Sequence, residues 1–379
     1  MSGGMELYLH MPFCVRKCAY CDFLSFPSGA KMQRMYAKRL MEDIGVMGKR
    51  YGEIPVETIF IGGGTPSVPD SGLIVEIMEH VRHAFHVADG AEISMEANPG
   101  TVTREKLTDY RKAGINRLSF GLQSANDREL KLLGRIHTWA EFLESFTLAR
   151  ECGFANLNID LMSALPGQTC ESWKKTLSRV TDLDPEHISA YSLIIEEGTP
   201  FGERYGSEEG RKLLPDEDSE REMYHETKRF LKDCGYERYE ISNYAKPGRE
   251  CRHNIGYWTG VPYLGLGLGA SSYLDGCRFT VNPDMKQYLE EKPGMFADIE
   301  KLTKKDMEEE FFYVGLRMTA GVSLSEFERR FGISAKEVYP GLMETFVKEK
   351  AAHFEGDRFV LTDYGLDVSN YIMAQFLQD

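Results

Sequence analysis

The chain has 379 residues, of which 42% are hydrophobic, so it is long enough for a barrel-sized domain and a smaller one. Its 59 acidic residues outnumber the 45 basic ones, and the net charge of −14 argues against a general affinity for nucleic acid or an anionic membrane surface. The sequence shows neither a signal-peptide pattern nor an apolar run suited to a transmembrane helix, and we therefore expect a cytoplasmic protein.

Strand-like and helix-like segments alternate through the first half of the chain. The strand-like runs cover residues 5–10, 58–61, 92–96, 117–123, 156–161 and 188–193. The helix-like segments cover residues 31–49, 72–85, 104–112, 140–151 and 170–180, and Thr138 with Glu141 forms a capping-box pattern before the fourth of them. Six such repeats predict an α/β fold with a parallel sheet curved into a partial (β/α)6 barrel, because a closed eight-unit barrel would need two more.

Each predicted strand has one apolar row and one polar row of side chains, because side chains alternate across a strand. The apolar rows, such as Leu7 and Leu9, are expected to pack on the outer helices. The polar rows are then expected to face the lumen, and they comprise Glu6, Tyr8, His10, Glu92, Ser94, Glu96, Arg117, Ser119, Gln123, Asn156, Asn158 and Asp160. A polar lumen implies water and a polar ligand, because unpaired buried polar groups are costly. The alternative is a two-sided sheet with one solvated face.

The chain changes character after about residue 235. Residues 239–244 are compatible with a further strand, within a connecting segment at 236–300 whose residues 250–273 are rich in Gly, Tyr and Ser. Expected helices at 307–318, 323–331 and 336–348, the second with a capping pair of Ser323 and Glu326, precede an expected hairpin at 354–359. We therefore predict a partial barrel at 1–235 and, at 301–379, a C-terminal α+β domain that resembles a winged helix. Its excess of acidic residues favours a lid or docking role over DNA binding.

Three cysteines, Cys14, Cys18 and Cys21, follow the first predicted strand with the spacing C-x3-C-x2-C. In a reducing compartment such a group favours metal ligation over disulfides. Thiolates ligate cubane iron–sulfur clusters, and three of them would leave one iron of a [4Fe-4S] cluster open. A zinc site with His10 as the fourth ligand is the competing interpretation.

The cysteine motif, followed by Gly62-Gly-Gly-Thr-Pro66 after the second strand, resembles the radical S-adenosylmethionine (SAM) superfamily. The resemblance implies that the open iron chelates SAM and that the reduced cluster cleaves it to a 5′-deoxyadenosyl radical. Over nearly the whole chain, further motifs resemble the oxygen-independent coproporphyrinogen III oxidase family. These are Tyr8-x-His10-x-Pro-Phe-Cys14, Glu96-x-Asn-Pro, Ser119-x-Gly-x-Gln-Ser124, Gly134-Arg135-x-His137 and Asp160-Leu-x-x-x-Leu-Pro-Gly-Gln168. By this resemblance the residues that contact SAM are Tyr8, Tyr20, Gly63, Gly64, Thr65, Glu96, Gln123, Arg135 and Asp160.

That family has an oxidase branch and a heme chaperone branch. The oxidases carry an N-terminal extension and a Cys two residues past the third cluster Cys, where this chain has Phe23. The chaperones carry His-Asn-x-x-Tyr-Trp, which matches His253-Asn254-x-x-Tyr257-Trp258 here. The sequence therefore resembles the chaperone branch, which implies heme as cargo, heme-accepting proteins as partners and a homodimer. Oxidative decarboxylation of coproporphyrinogen III, or a radical reaction on another substrate, is the alternative function.

The His-Asn-x-x-Tyr-Trp segment has two structural interpretations. A histidine nitrogen is a common axial ligand of heme iron, and Tyr257 with Trp258 offers flat apolar surface for a porphyrin. Cys251 is a competing iron ligand. Alternatively, His253 and Asn254 shape a turn while the two aromatic residues plug the open side of the barrel.

Overall fold

A twelve-stranded sheet dominates the computed structural model, which describes residues 3–377. Its strands are β1 (Met5–Met11), β2 (Val56–Gly63), β3 (Val87–Ala97), β4 (Arg117–Gln123), β5 (Leu157–Ser163), β6 (His187–Ser192), β7 (Glu237–Arg238), β8 (Asn243–Ala245), β9 (Tyr263–Leu266), β10 (Ser271–Leu274), β11 (Cys277–Thr280) and β12 (Asp298–Lys301). Across the sheet the order is β12-β11-β10-β9-β1-β2-β3-β4-β5-β6-β8-β7. In the described chain the sheet thus ends at β12 and β7, which confirms the predicted open barrel.

Helices cover the outer face of this sheet and build the C-terminal domain. Those before residue 300 are α1 (Ala30–Tyr51), α2 (Ser71–Ala84), α3 (Arg104–Lys112), α4 (Asp127–Leu133), α5 (Trp139–Glu151), α6 (Cys170–Thr181), α7 (Pro200–Tyr205), α8 (Glu208–Arg211), α9 (Glu217–Asp233), α10 (Arg252–Thr259) and α11 (Met285–Glu290). The remaining elements are α12 (Lys304–Gly315), β13 (Val322–Ser323), α13 (Leu324–Phe331), α14 (Ala335–Val338), α15 (Leu342–Lys348), β14 (Ala352–Glu355), β15 (Arg358–Leu361), α16 (Asp363–Asp367) and α17 (Ser369–Ala374). Strands β13, β15 and β14 form a separate three-stranded sheet, so this part of the chain has the expected α+β character.

The six predicted βα repeats and their facing directions are confirmed. Strands β1 to β6 pair in parallel in sequence order. Leu7 and Leu9 are fully buried in the core between the sheet and the outer helices, whereas Glu6 points into the lumen and is bonded there by Thr58. The capping box of Thr138 and Glu141 is present at the start of α5. Residue alternation was therefore sufficient to orient these strands.

The segment between the barrel and the C-terminal domain differs from the expectation. Residues 239–244 do not form one strand, because Ser242 N donates to Glu240 Oε1 (2.8 Å) and turns the chain between β7 and β8. The Gly-rich stretch that follows continues the main sheet. Its first strand, β9, pairs in parallel with β1 and is the seventh parallel strand. β9 joins the sheet through its long-range pairing with β1, and no local sequence pattern indicates this strand.

Two local predictions in the C-terminal domain are corrected. The helix expected at 336–348 is broken into α14 and α15, with Gly341 in the left-handed region at φ 74° between them. Ser323 caps α13, but Glu326 turns to Arg329 and Arg330 instead of completing a capping box. Proline and glycine at 340–341 account for the break, because neither favours a helix interior.

The C-terminal domain has its own apolar core around Phe312, Phe327 and Phe346, and it is tied to the barrel by backbone bonds. Thr319 N donates to Tyr239 O (3.0 Å), next to a β-bridge between Glu240 and Met318. Helix α12 also forms an ion pair with β11, near the opposite end of the sheet, so the C-terminal domain spans the open side of the barrel. Over residues 3–377, we find no helix with the length and apolarity needed to span a bilayer.

Candidate cofactor and porphyrin site

The three cysteines lie half-buried on the loop that leaves β1 at the mouth of the barrel. Cys14 N donates to Phe26 O (3.1 Å), which folds the loop back on itself. Two side chains from other elements reach the sulfur atoms. Thr65 Oγ1 lies 3.5 Å from Cys14 Sγ, and Arg135 Nη1 donates to Cys18 Sγ (3.5 Å). These contacts place a polar group from another element next to a sulfur atom at the mouth of the barrel.

The loop fits a cluster better than a single metal ion. Among the described residues, no three His, Cys, Asp or Glu side chains converge on a point where they could hold one ion. His10, the fourth ligand in the zinc interpretation, is engaged instead with Leu24 O (2.9 Å) and Tyr8 Oη (3.0 Å). A cubane does not need its three sulfur ligands to meet at one ion, because each cysteine binds a different iron of the cluster. Burial raises the pKa of the Cys21 thiol to about 11, and iron would supply the positive charge that a thiolate needs there.

The glycine run at the end of β2 allows the cluster loop to pack closely against it. Gly64 N donates to Met11 O (2.9 Å) and Thr65 N to Phe13 O (2.7 Å), so the two backbones run in contact. A Cβ at Gly64 would stand 2.8 Å from the backbone of the cluster loop, and Gly63 has a φ of 106°. Glycine therefore allows two loops to approach closely at the mouth of the barrel.

Two carboxyl groups line the lumen cavity, Glu96 on β3 and Asp160 on β5. Glu96 accepts from Gly63 N (3.1 Å), and Asp160 accepts from Ser119 Oγ (2.9 Å) and Asn158 Nδ2 (2.8 Å). Desolvation and then the nearby Asp160 raise the pKa of Glu96 to about 8, and desolvation also raises the pKa of Asp160. Buried like charges of this kind are relieved by a cationic ligand. SAM has an amino group and a sulfonium, so this pair fits the ligand that the sequence predicts.

The other residues predicted to contact SAM surround the same mouth. Arg135 Nη2 donates to Asn98 Oδ1 (2.7 Å) and to Gly121 O, and Tyr20 lies beside the Arg135 guanidinium. Gln123 ends β4 with a φ of 74° and pairs with Leu161 of β5, after a register shift that passes over Leu122. The structure thus brings the predicted cofactor residues to one end of the sheet, and their contacts with SAM stay a prediction.

The His-Asn-x-x-Tyr-Trp motif forms most of helix α10, which enters the lower part of the lumen. His253 is only 1% exposed, stacks on Phe60, and has both ring nitrogens engaged, with Thr58 Oγ1 (2.7 Å) and Tyr257 Oη (2.9 Å). Burial lowers the pKa of His253 to about 3 and raises that of Glu6 to about 9, so their 3.9 Å approach is not an ion pair at neutral pH. To bind heme iron through either ring nitrogen, His253 would have to give up the hydrogen bond that this nitrogen makes. Heme contact through His253 stays a prediction.

Two cavities meet at Tyr8, Glu96 and Tyr257. The smaller, of about 220 Å³, lies in the lumen and includes Asp160 in its wall. The larger, of about 1200 Å³, extends from the cluster loop to the C-terminal domain and includes Trp258 in its wall. Tyr257 and Trp258 therefore lie where a large ligand could contact them, in contrast to His253.

Several polar residues of the site were not singled out as ligand contacts from the sequence. Asn158 Nδ2 bonds Ser119 Oγ (2.7 Å) as well as Asp160, and Asn98 bridges Thr65 Oγ1 (2.9 Å) and Arg135. Strand parity had placed Ser119 and Asn158 on the lumen face, and Asn98 belongs to a quoted motif. Their hydrogen bonds to the predicted site residues become visible only in the three-dimensional arrangement of the strands.

Comparison with known proteins agrees with this arrangement. Residues 8–180 match the model of the radical SAM superfamily, and residues 302–368 match that of the HemN C-terminal domain. The heme chaperone HemW of Bacillus subtilis is 35% identical over 374 residues, covering 98% of each chain. The heme chaperone HemW of Escherichia coli is 34% identical over 382 residues, covering 99% of this chain and 98% of that one.

A solved structure shows the same fold over the whole chain. Coproporphyrinogen III oxidase (HemN) from Escherichia coli superposes with a TM-score of 0.85 at 23% identity, covering 99% of this chain and 90% of that one. The sequence matches over nearly full length are more specific than this likeness of fold. They show that the chain belongs to the radical SAM superfamily and, within it, to the heme chaperone HemW family.

Proposed function

We propose that this protein binds heme and delivers it to acceptor proteins, with a [4Fe-4S] cluster on Cys14, Cys18 and Cys21 and SAM in the lumen. The observation that carries the proposal is the shared wall of the two cavities. Tyr8 and Glu96 line both the lumen pocket and the larger cavity, so a small cationic cofactor and a large flat ligand would be neighbours. The names of the full-length relatives support heme as that ligand.

Each part of the chain has a distinct role in this proposal. The cysteine loop ligates three of the four irons of the cluster, while Arg135 donates to Cys18 Sγ and Thr65 Oγ1 lies beside Cys14 Sγ. Glu96 and Asp160 receive the positively charged part of SAM. When bound, the cluster and SAM supply one-electron chemistry, while the protein provides orientation and a site shielded from water. The C-terminal domain closes the open side of the barrel and so limits access to the larger cavity.

The alternative is oxidation of coproporphyrinogen III, which the shared fold with the solved oxidase makes worth testing. Phe23, 64% exposed on the cluster loop and in the wall of the larger cavity, occupies the place where the resemblance puts a cysteine in the oxidases. An apolar phenyl group at that place suits contact with a porphyrin and offers no thiol.

One experiment addresses both functions. The chain is reconstituted anaerobically, loaded with heme, and mixed with an apo b-type heme protein, while a second sample receives coproporphyrinogen III, SAM and reductant. We expect about four irons per chain, heme transfer to the acceptor, and no protoporphyrinogen. The Cys14→Ala/Cys18→Ala/Cys21→Ala variant should lose the cluster absorbance, with Cys234→Ala, an exposed cysteine elsewhere, as control. Turnover of coproporphyrinogen without heme transfer would replace the proposal by the alternative.

A further inference from the structure

The larger cavity has the volume and the lining of a site for a large aromatic ligand. Its volume of about 1200 Å³ exceeds the roughly 300–1,000 Å³ of ordinary small-molecule pockets. Aromatic side chains line it from several directions. They are Phe23 of the cluster loop, Tyr257 and Trp258 of α10, Tyr273 of β10, and Phe311 of α12. A macrocycle lying between these rings would be in contact with both the barrel and the C-terminal domain.

Guanidinium groups border this aromatic lining at one side of the cavity. Arg278 lies over the ring of Tyr273 at 5.7 Å, and Arg330 lies over the ring of Phe311 at 5.5 Å. Burial raises the pKa of the Tyr273 hydroxyl group, and the positive charges of both arginines oppose this rise. Both guanidinium groups therefore lie near the Tyr273 side chain. Carboxylates are the anions that a guanidinium fork binds with the best geometry. The cavity therefore combines a surface for an aromatic ring system with binding groups for carboxylates at its edge.

The arginines are held by ion pairs that would leave them able to bind a carboxylate of a ligand. Arg278 Nε and Nη2 both donate to a single oxygen, Oε1 of Glu310 (3.0 and 2.6 Å). Arg330 shares Glu326 with Arg329, so two guanidinium groups face one carboxylate there. Arg278 and Arg330 are partly exposed, with side-chain exposures of 40% and 23%. A carboxylate ligand could thus pair with either arginine without the burial of an unpaired charge.

We propose that this cavity is the porphyrin site, with the macrocycle between the aromatic walls and its propionate groups on Arg278 and Arg330. The inference rests on the proposed heme binding and adds the place and the recognition chemistry. The cavity would then be specific for an aromatic macrocycle that carries its carboxylates on one edge. It needs no iron ligand from the protein, because stacking and two charge-assisted contacts hold the ligand.

The test uses the cluster-free chain and two fluorescent ligands, zinc protoporphyrin IX and its dimethyl ester. Wild type should bind the diacid at least tenfold more tightly than the ester. The Arg278→Gln/Arg330→Gln variant should bind the diacid at least tenfold more weakly than wild type does, and it should bind diacid and ester about equally. Arg34→Gln removes a comparable exposed ion pair, with Glu76 (3.0 Å) on the outer helices, and should leave both affinities unchanged.

The outcomes separate this inference from the function on which it rests. If wild type binds neither heme nor zinc protoporphyrin, the proposed function fails. If wild type binds diacid and ester equally, or if the double variant weakens both ligands alike, porphyrin binds but the arginines do not recognise its carboxylates, and the inference is wrong. The comparison of the two ligands on wild type stands even if the double variant does not fold.

Discussion

Gly256 of α10 lies directly against the side chain of Glu6 on β1, and a Cβ at position 256 would overlap the Glu6 carboxyl group. Both residues are buried, and Glu6 is fixed by the hydrogen bond from Thr58 (3.2 Å), so the carboxyl group has little room to move away. The second variable position of the His-Asn-x-x-Tyr-Trp motif is thus a glycine for a packing reason. It lets α10 sit low enough in the lumen for His253 to meet Thr58.

Gly256→Ala should therefore lower the free energy of unfolding by roughly 1–3 kcal/mol, the usual cost of overpacking, although alanine favours the helix. Urea denaturation measures this. Gly45→Ala is the matched control, because Gly45 lies inside α1 with open space where a Cβ would be, and it should be neutral or stabilising. Adding Glu6→Ala to Gly256→Ala should recover part of the loss. Strict additivity of the two changes would contradict the contact.

Glu6 should make stability depend on pH in an unusual direction. Burial raises its pKa from 4.5 to about 9, so between these values the unfolded chain ionises Glu6 while the folded chain keeps it protonated. The contribution of Glu6 to the free energy of unfolding is fully present below pH 4.5. It falls by about 1.4 kcal/mol per pH unit as the pH rises toward 9. Between pH 5 and pH 8, the free energy of unfolding of wild type should fall by up to about 4 kcal/mol relative to that of Glu6→Gln. Urea curves at four pH values measure the difference, and a constant difference would show that Glu6 is ionised in the fold.

The carboxyl pair should be needed for SAM but not for the cluster. Glu96→Gln and Asp160→Asn should each weaken SAM binding at least tenfold, because each removes a buried partner of the cationic ligand. Calorimetry on the reconstituted variants gives the affinity, and visible absorbance reports the cluster. Glu92→Gln is the control, because Glu92 lies on the same face of β3 but at the lower end, against Cys251 and His253. Equal losses in all three variants would indicate a general disturbance of the lumen.

His253 should act by positioning α10. Because both of its ring nitrogens are engaged, we expect His253→Ala to lower the melting temperature and weaken heme binding, while the Soret maximum stays where it is in wild type. Cys251→Ala should give the same unshifted maximum, because Cys251 is buried against Glu92. A shifted maximum in one variant alone would identify that residue as an axial ligand of the iron.

The sequence was most informative where structure follows from local alternation and spacing. β4 and α3 begin and end as predicted, and the rows that contain Glu96 and Asp160 face the lumen as parity requires. Such features depend on the period of the strand or helix and on burial of one face. The cysteine loop could be placed for the same reason, because it directly follows β1.

The remainder depends on contacts between distant segments. β9 is four residues long and becomes part of the parallel sheet only through its pairing with β1, some 250 residues away in the chain. The motif alone is compatible with a turn at His253 and Asn254, whereas in the structure it forms helix α10, with Gly256 packed against Glu6. Arg278 and Arg330 lie on separate elements of different parts of the chain, so no motif could bring them together. Tertiary packing decides each of these cases.

The open sheet has a consequence for solubility during folding. A barrel that does not close keeps two strand edges, and free edges invite pairing with another chain. Here β12 reads Asp298-Ile-Glu-Lys301 and is exposed along its length, while β7 at the opposite end is only two residues long, Glu237 and Arg238. A strand from another chain would meet charged side chains at β12. At β7 it would find almost no backbone with which to pair. The fold can thus keep a large ligand entrance without offering a template for aggregation.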